Sequence, residues 1–199
     1  VITIVFNMLI LGLAGNVGVA AYGVAANISM VGMCIFNGLA QGTQPMISDC
    51  YGKGQQDMVK KLLTWALAIC GALELLMVAV IWLWTDGMVG IFNTEQDLQL
   101  LAYAHTGLRL YGLGFLAAGM NILLAAYFSA VDHARPAIVG SVLRGAVAIT
   151  ICAIVLSRIF GLNGVWLSFL CSEVITLAVI GVLAKLEKRK MPEKLNGIT

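Results

Sequence analysis

The sequence has 199 residues, of which 60% are apolar and only 11% carry a charge. Soluble domains have about 25% charged residues, so this composition excludes an ordinary soluble domain and predicts a protein that faces lipid. The formal net charge of +2 is too small to point to a partner by itself, and we expect no nucleic acid among the partners.

The first apolar run extends from Val1 to Leu13. It is shorter than the about 20 residues that a membrane-spanning helix needs. The chain also opens on valine, inside this run. We therefore expect it to be cut from a longer protein, with its first helix truncated.

Five further apolar segments alternate with short polar connectors. The first of them is less apolar than the rest, and the other four have about 22 residues each, the length of a slightly tilted membrane-spanning helix. Runs of this length are helical, because a helix satisfies all of its own backbone polar groups inside lipid. The segments are Ala20–Ile47, Leu62–Trp84, Leu108–Val131, Pro136–Ser157 and Leu162–Ala184.

The predicted fold is therefore an all-α, polytopic transmembrane helical bundle over residues 1–186. The remaining segment, Glu187–Thr199, is charged and is expected to form a frayed cytoplasmic tail. Three connectors carry glycines that release a chain from a helix, and links this short make sequential helices antiparallel. These connectors are Asp49–Gly54, Thr85–Gly87 and Gly161–Gly164.

The basic residues predict the orientation, because cytoplasmic loops are enriched in Lys and Arg. We number the connectors along the chain from the first apolar run. Nine basic residues lie in the second and fourth connectors and after the last apolar segment, whereas Arg158 alone lies in a connector of the other side. The third connector instead carries Asp86, Glu95 and Asp97. We therefore expect a multi-pass protein of the cell membrane with both ends in the cytoplasm. The nine residues are Lys53, Lys60, Lys61, Arg135, Lys185, Lys188, Arg189, Lys190 and Lys194.

The second segment carries polar side chains along one face, which we call the polar stripe. At about 100° per residue they fall within an arc of about 100°, opposite Ile28, Val31, Ile35, Leu39 and Ile47. Such a stripe cannot face lipid, so it either lines a water-filled cavity or hydrogen-bonds to other helices. We favour the cavity. The polar stripe comprises Asn27, Met30, Cys34, Asn37, Gln41, Gln44 and Ser48.

Pro45 lies near the cytoplasmic end of the same segment. Proline removes a backbone hydrogen bond and kinks a helix. We expect a kink here, which is either a static bend or a flexible gate.

Three charged residues, Glu74, Arg144 and Glu173, lie deep within apolar segments. Burying such a group in a membrane costs about 2.5–3.5 kcal/mol, so unpaired examples are rare. Their heights in the predicted helices lead us to expect that Arg144 pairs with Glu173, with Glu74 or with both. The network is either a structural salt bridge or a proton- or cation-sensitive group in a transport path.

The sequence contains no motif that is typical of a catalytic, nucleotide-binding or metal-binding site. It contains no nucleophile–base pair, no carboxylate dyad and no metal-ligand spacing, and Gly52-Lys53-Gly54 lacks the rest of a P-loop. We therefore expect neither an enzyme nor a bound metal or cofactor.

Several stretches resemble the multidrug and toxic compound extrusion (MATE) family, and the resemblance covers essentially the whole chain. The first block is long and collinear and comprises Val19–Asn27, Gly38–Ile47 and Tyr51–Gly54. The second block is Tyr127–Pro136, which is looser and leads to Arg144.

The family has twelve helices in two lobes, and this chain is similar to the C-terminal lobe, from within helix seven to helix twelve. The resemblance implies a secondary active antiporter that exports cationic or amphipathic drugs in exchange for H⁺ or Na⁺. It also implies that two lobes rock about a central cavity. The partner would be the N-terminal lobe of the same transporter, and the polar stripe would line this lobe's side of the cavity.

The coupling ion stays open. One branch of the family uses a Glu in helix seven, which would fall before Val1, and an acidic residue in helix ten, where this chain has Asn121. The chain is more similar to the branch whose coupling Asp lies in helix one, in the other lobe. Asn7 and Asn121 are then candidates for polar contacts in the cavity.

Two alternatives to the antiporter remain. The first is a lipid-linked oligosaccharide flippase of the same superfamily, which a basic central cavity would favour. The second is a non-transporting truncated membrane fragment.

Overall fold

The computed structural model describes residues 2–93 and 96–195, with all of their side chains except those of 134 and 187–195. These residues form eight α-helices and one π-helical turn, with no strand among them, in agreement with the predicted all-helical fold. The elements are α1 Ile2–Gly52, α2 Gln56–Leu83, α3 Thr85–Phe92, α4 Leu98–Gly112, α5 Phe115–Ala130, α6 Ala134–Val142, the π turn Leu143–Val147, α7 Ala148–Phe160 and α8 Leu162–Leu195.

Helix α1 consists of two helices joined at Gly15. This residue has φ 63° and ψ −159°, a conformation that only glycine adopts without strain. It divides α1 into a first limb, residues 2–14, and a second limb, residues 16–52. The break lies in the connector predicted between Leu13 and Ala20, so the expected division into two helices is confirmed. Val1 lies outside the described residues.

The span predicted as Leu108–Val131 is wrong in its start and in its continuity. Helix α4 begins ten residues earlier, and its axis is bent by 43° relative to that of α5. Short hydrogen bonds between residues three apart replace the helical pattern at the break, as in Gly114 N–H to Tyr111 O at 3.0 Å. Glycines on both sides of Leu113 weaken the helix there, and a Cβ on Gly114 would overlap the Phe169 ring.

The connector after α2 also differs from its prediction. The chain leaves α2 at Trp84, but Thr85–Gly87 begins the short helix α3 rather than a turn. The Thr85 hydroxyl donates to the carbonyl of Ile81, and Thr85 and Val89 are buried against the bundle. This packing holds an eight-residue helix that is too short for periodicity to reveal. Glu95 lies outside the described residues.

The last predicted spans are recovered. Helix α6, the π turn and α7 together form an apolar stretch from Arg135 to Phe160, and Gly161 has the positive φ of 57° that its hairpin requires. Helix α8 continues to Leu195, so the backbone is helical over most of the segment 187–199 that we expected to fray. Residues 196–199 lie outside the described residues.

Contacts at the two ends of the bundle show which connectors share an end. At one end Ile47, Val59 and Val131 form one apolar cluster, which brings the Lys-rich second connector close to the fourth. At the other end Asn16, next to the break in α1, shares a cavity with Asp97 at the start of α4. The basic connectors therefore lie together, as the charge pattern predicted.

Candidate transport site

The polar stripe lies on the surface of the bundle. The second limb of α1 buries Ser29, Gly32, Phe36 and Ala40 against the other helices. The stripe faces away from them, and Met30, for example, is 68% exposed. Gln44 is half-buried, whereas the side chains of Asn27, Cys34, Asn37, Gln41 and Ser48 are exposed.

Two amides of the stripe each donate a hydrogen bond to a carbonyl of their own helix. Asn27 Nδ2 donates to the Gly23 carbonyl at 2.9 Å, and Asn37 Nδ2 donates to the Met33 carbonyl at 2.7 Å. Their Oδ1 atoms are left as acceptors at the surface. The stripe therefore offers free amide oxygens as acceptors, beside the second N–H of each amide.

The apolar side chains of the second limb lie on two faces rather than on the single opposite face that we predicted. Ile47 is buried and Leu39 is half-buried, but Val31 and Ile35 are 61% and 43% exposed. Helical periodicity separates polar from apolar residues but cannot separate an apolar face that packs on protein from one that faces lipid. The helix thus has a buried face, a polar exposed face and an apolar exposed face.

Pro45 lies inside α1, where the single departure from helical backbone angles is at Gly15. Proline has no N–H to donate to the carbonyl four residues earlier, which is that of Gln41, a member of the polar stripe. The proposed gate at Pro45 stays a prediction.

The charge network is anchored by an ion pair between Arg144 and Glu173. Arg144 Nε lies 2.8 Å from Glu173 Oε1, which confirms this predicted pairing. Arg144 belongs to the π turn, and the extra residue of a π turn changes the direction in which the following side chains point. Its NH2 group also lies 3.1 Å from the Met33 sulfur on the second limb of α1.

Glu74 does not pair with Arg144, so of the alternatives that we predicted the structure shows the pairing with Glu173 alone. Glu74 Oε1 accepts the backbone N–H of Met120 at 2.8 Å, and its side chain is 2% exposed. The carboxylate therefore lies against the second turn of α5, where a backbone N–H of that helix binds it.

Asn121 lies in the interior, 1% exposed, and not at the surface of the cavity where we expected it. Its Nδ2 donates to Glu173 Oε2 at 2.7 Å and to the Glu173 carbonyl at 2.8 Å. The residue therefore belongs to the charge network. Asn7 lies half-buried on the first limb of α1, and its contact with a substrate stays a prediction.

A cavity of about 290 Å³ adjoins the ion pair. Its wall includes two residues that the sequence analysis did not single out, Tyr111 and Phe169, whose rings stack at 4.5 Å. Aromatic residues are common in apolar helices, so no pattern in the sequence marks these two. The cavity is lined by Ile2, Met33, Tyr111, Ser141, Arg144, Gly145, Ile149, Phe169 and Glu173.

The fold is that of one lobe of a helical membrane transporter. The chain is similar to an outward-facing multidrug resistance MATE family transporter of the MOP superfamily, with 18% identity and a TM-score of 0.86 over 96% of this chain and 43% of that one. It matches an inward-facing conformation of such a transporter with 19% identity and a TM-score of 0.86, over 95% and 44% of the two chains. The chain thus spans less than half the length of these transporters.

A third solved structure, a MOP superfamily transporter from Pyrococcus furiosus, matches with 18% identity and a TM-score of 0.85 over 96% of this chain and 43% of that one. The reversed polarity of its binding pocket has been taken to suggest a different function for that protein. No curated protein matches the chain.

The MatE family model matches residues 1–159, and the chain belongs to this family. With its apolar helices, it is a multi-pass membrane protein with the fold of a MATE transporter lobe.

Proposed function

We propose that this chain is the C-terminal half of a secondary active antiporter that exports cationic or amphipathic compounds in exchange for H⁺ or Na⁺. The exposed polar stripe on the second limb of α1 is the observation that carries this proposal. Exposed amides inside a membrane need a water-filled cavity or another protein surface beside them, and this lobe supplies no helix that covers them within the described residues.

The chemistry of the stripe suits such substrates. The amide oxygens of Asn27 and Asn37 can accept hydrogen bonds from ammonium groups or lie close to a positive charge. Met30 adds a flexible thioether that adapts to apolar groups of different shape. A surface of this kind favours binding of many cations with an apolar body over strict selection of one.

Rocking of two lobes would give the stripe alternate access to each side of the membrane. The chain is equally similar to half of an outward-facing and half of an inward-facing transporter. This supports a lobe that moves as a body about the central cavity. We place the site of the coupling ion in the N-terminal lobe, the basic connectors in the cytoplasm and the protein in the cell membrane, and we expect no cofactor.

The ion pair that Arg144 forms with Glu173 argues against the flippase alternative. A site for an anionic, lipid-linked sugar needs basic groups that are free to bind phosphate. The guanidinium of Arg144 instead has the Glu173 carboxylate at 2.8 Å, so the cavity next to it carries both charges.

The test uses the full-length transporter that contains this chain, expressed in a bacterial strain without its own drug exporters. We expect Asn37→Leu and Gln41→Leu each to lower the rate of ethidium efflux by at least about tenfold, since losing one hydrogen bond to a charged ligand removes about 1.5–3 kcal/mol of binding. Efflux is followed by the fluorescence of loaded cells.

The matched control is Thr64→Val on α2. Thr64 is exposed and donates to the carbonyl of Lys60 in its own helix, as Asn37 does to Met33, but it lies outside the stripe. Its efflux rate should equal that of the wild type. Wild-type rates in both stripe variants at equal expression would contradict the cavity role of the stripe.

A further inference from the structure

The junction of α5, α8 and the π turn contains one amide among charged groups. Asn121 on α5 contacts Glu173 on α8, and Glu173 contacts Arg144 on the π turn. Glu173 is 2% exposed and Asn121 is 1% exposed. Water therefore screens their interaction little, and each hydrogen bond here is stronger than one at the surface.

The polarity of the Asn121 amide is fixed by its neighbours. Its nitrogen faces two acceptors at once, the Glu173 carboxylate at 2.7 Å and the Glu173 carbonyl at 2.8 Å. The reverse orientation would bring the amide oxygen against both of them, which is repulsive. With the nitrogen placed in this way, the Asn121 Oδ1 atom is buried without a hydrogen-bond partner among the described residues.

The unpartnered oxygen indicates that the nitrogen of the Asn121 amide, rather than its oxygen, makes the stabilising contacts. A buried acceptor without a partner is destabilising, and the two hydrogen bonds from the nitrogen to Glu173 offset that loss. The two hydrogen bonds hold both the backbone and the side chain of Glu173. Its second carboxylate oxygen, Oε1, then faces Arg144 Nε at 2.8 Å.

We propose that Asn121 is the positioning residue of this junction, which orients Glu173 toward Arg144 and, as an uncharged donor, keeps the junction at one negative and one positive charge. Four titratable groups lie at or next to this junction: Glu173 on α8, which contacts Asn121; Arg144 on the π turn, which contacts Glu173; Glu74 on α2, which accepts from the backbone of Met120; and Tyr111 on α4, in the same cavity wall as Arg144. A second carboxylate at position 121 would have no cation left to pair with.

Asn121→Asp tests the inference, because Asp has the same shape and replaces the donor by a charged acceptor. The thermal unfolding of the purified full-length transporter is measured from about pH 5 to about pH 8, a range in which an Asp of the unfolded chain is ionised. At high pH the introduced carboxylate and Glu173 repel each other in the folded state. At low pH a proton shared between them restores a hydrogen bond.

We therefore expect the Tm of Asn121→Asp to lie roughly 5 °C or more below that of the wild type at the high end of this range. The gap should shrink by at least half at the low end. Asn121→Leu, which removes both bonds and adds no charge, should lower the Tm by the same amount at every pH. Asn163→Asp, an exposed residue of the α7–α8 hairpin, should follow the wild type throughout.

A pH-independent loss in Asn121→Asp, equal to that of Asn121→Leu, would overturn the inference, and so would no loss at all. Should Asn121→Asp give no folded protein, the double variant Asn121→Asp with Glu173→Gln returns the junction to one negative charge and should fold. An unfolded double variant would count against the proposal. Thermal unfolding needs no transport, so a failure of the proposed antiport would not affect this test.

Discussion

Arg144 and Glu173 depend on each other because each is the charged partner of the other inside the bundle. Glu173 is almost fully buried, and the Arg144 side chain is 25% exposed at the edge of the cavity. Removing one member of a buried pair costs about 3–5 kcal/mol, since an uncompensated charge is left behind. The partly exposed guanidinium brings the expected cost of losing Glu173 toward the lower end of this range.

A double-mutant cycle measures this dependence. We expect Arg144→Met to lower the Tm of the full-length transporter more than Glu173→Gln does, because the remaining carboxylate is the more buried of the two charges. The double variant should be more stable than the sum of the two losses predicts, by about 1 kcal/mol or more. Additive losses would show that the two side chains do not interact in the folded transporter.

The pair Lys53–Asp49 is the control for this cycle. Its atoms are 2.6 Å apart, but both side chains are 61% exposed, and the hydrogen bond from Lys53 to Asp49 raises the pKa of the Lys53 ammonium. The Lys53 ammonium is therefore protonated at neutral pH. Because water screens an exposed pair, Lys53→Met and Asp49→Asn should have no measurable coupling.

At this scale the sequence predicted the partner of Arg144 but not the bonds around it. The rise per residue of a helix places Arg144, Glu173 and Glu74 at similar depths in the membrane. Which of the two carboxylates reaches Arg144 depends on how each helix is rotated about its axis. The π turn sets the direction in which the Arg144 side chain points. The formation of a π turn depends on tertiary packing, which the hydrophobic periodicity of the sequence does not reveal. The inward direction of Asn121 likewise depends on the rotation of α5 about its axis, which the sequence pattern does not determine.

At the scale of elements, the contact between the α4–α5 break and α8 depends on a glycine. Gly114 lies so close to Phe169 that a Cβ would overlap the ring, and Phe169 stacks on Tyr111 on the opposite side of the break. We expect Gly114→Ala to destabilise the protein by about 1–3 kcal/mol, the usual cost of overpacking. The Tm of the purified full-length transporter measures this loss.

Gly181→Ala on α8 is the matched control. A Cβ at Gly181 would meet nothing within 4 Å, and alanine is the better helix former by about 1 kcal/mol. The Tm should stay the same or rise. Equal Tm values for Gly114→Ala and Gly181→Ala would contradict the close packing of α4–α5 on α8.

The elements that the sequence predicted well are the long apolar ones. Their existence follows from hydropathy alone, because a span is a continuous run and its ends are marked by Lys, Asp or Gly-rich connectors. The break at Gly114 escaped prediction because glycine is frequent in transmembrane helices, so one more glycine carries no signal. Helix α3 escaped because eight residues give barely two turns, and tertiary contacts at Thr85 and Val89 hold it in place.

At the scale of the whole molecule, the proposed function makes this lobe one wall of a central cavity. The polar stripe lies beside the apolar exposed face of Val31 and Ile35, so lipid can cover one exposed face of the second limb but not the other. Covering the stripe with lipid would leave amides without water or protein partners, which costs several kcal/mol for each unsatisfied group. The stripe therefore requires a second polar wall.

We expect that residues 1–199, expressed alone behind a start codon, insert into the bacterial inner membrane but confer no resistance to ethidium, whereas the full-length transporter does. Membrane fractionation measures insertion, and growth at increasing ethidium concentration measures resistance. The reason is geometric, since a cation held by one wall is exposed to lipid or water on its other side and gains no alternating access. Resistance above that of the empty vector, from a species that runs as a monomer, would show that one lobe suffices. Resistance from a dimer would instead place the stripes of two copies against each other, and Asn37→Leu should then abolish it.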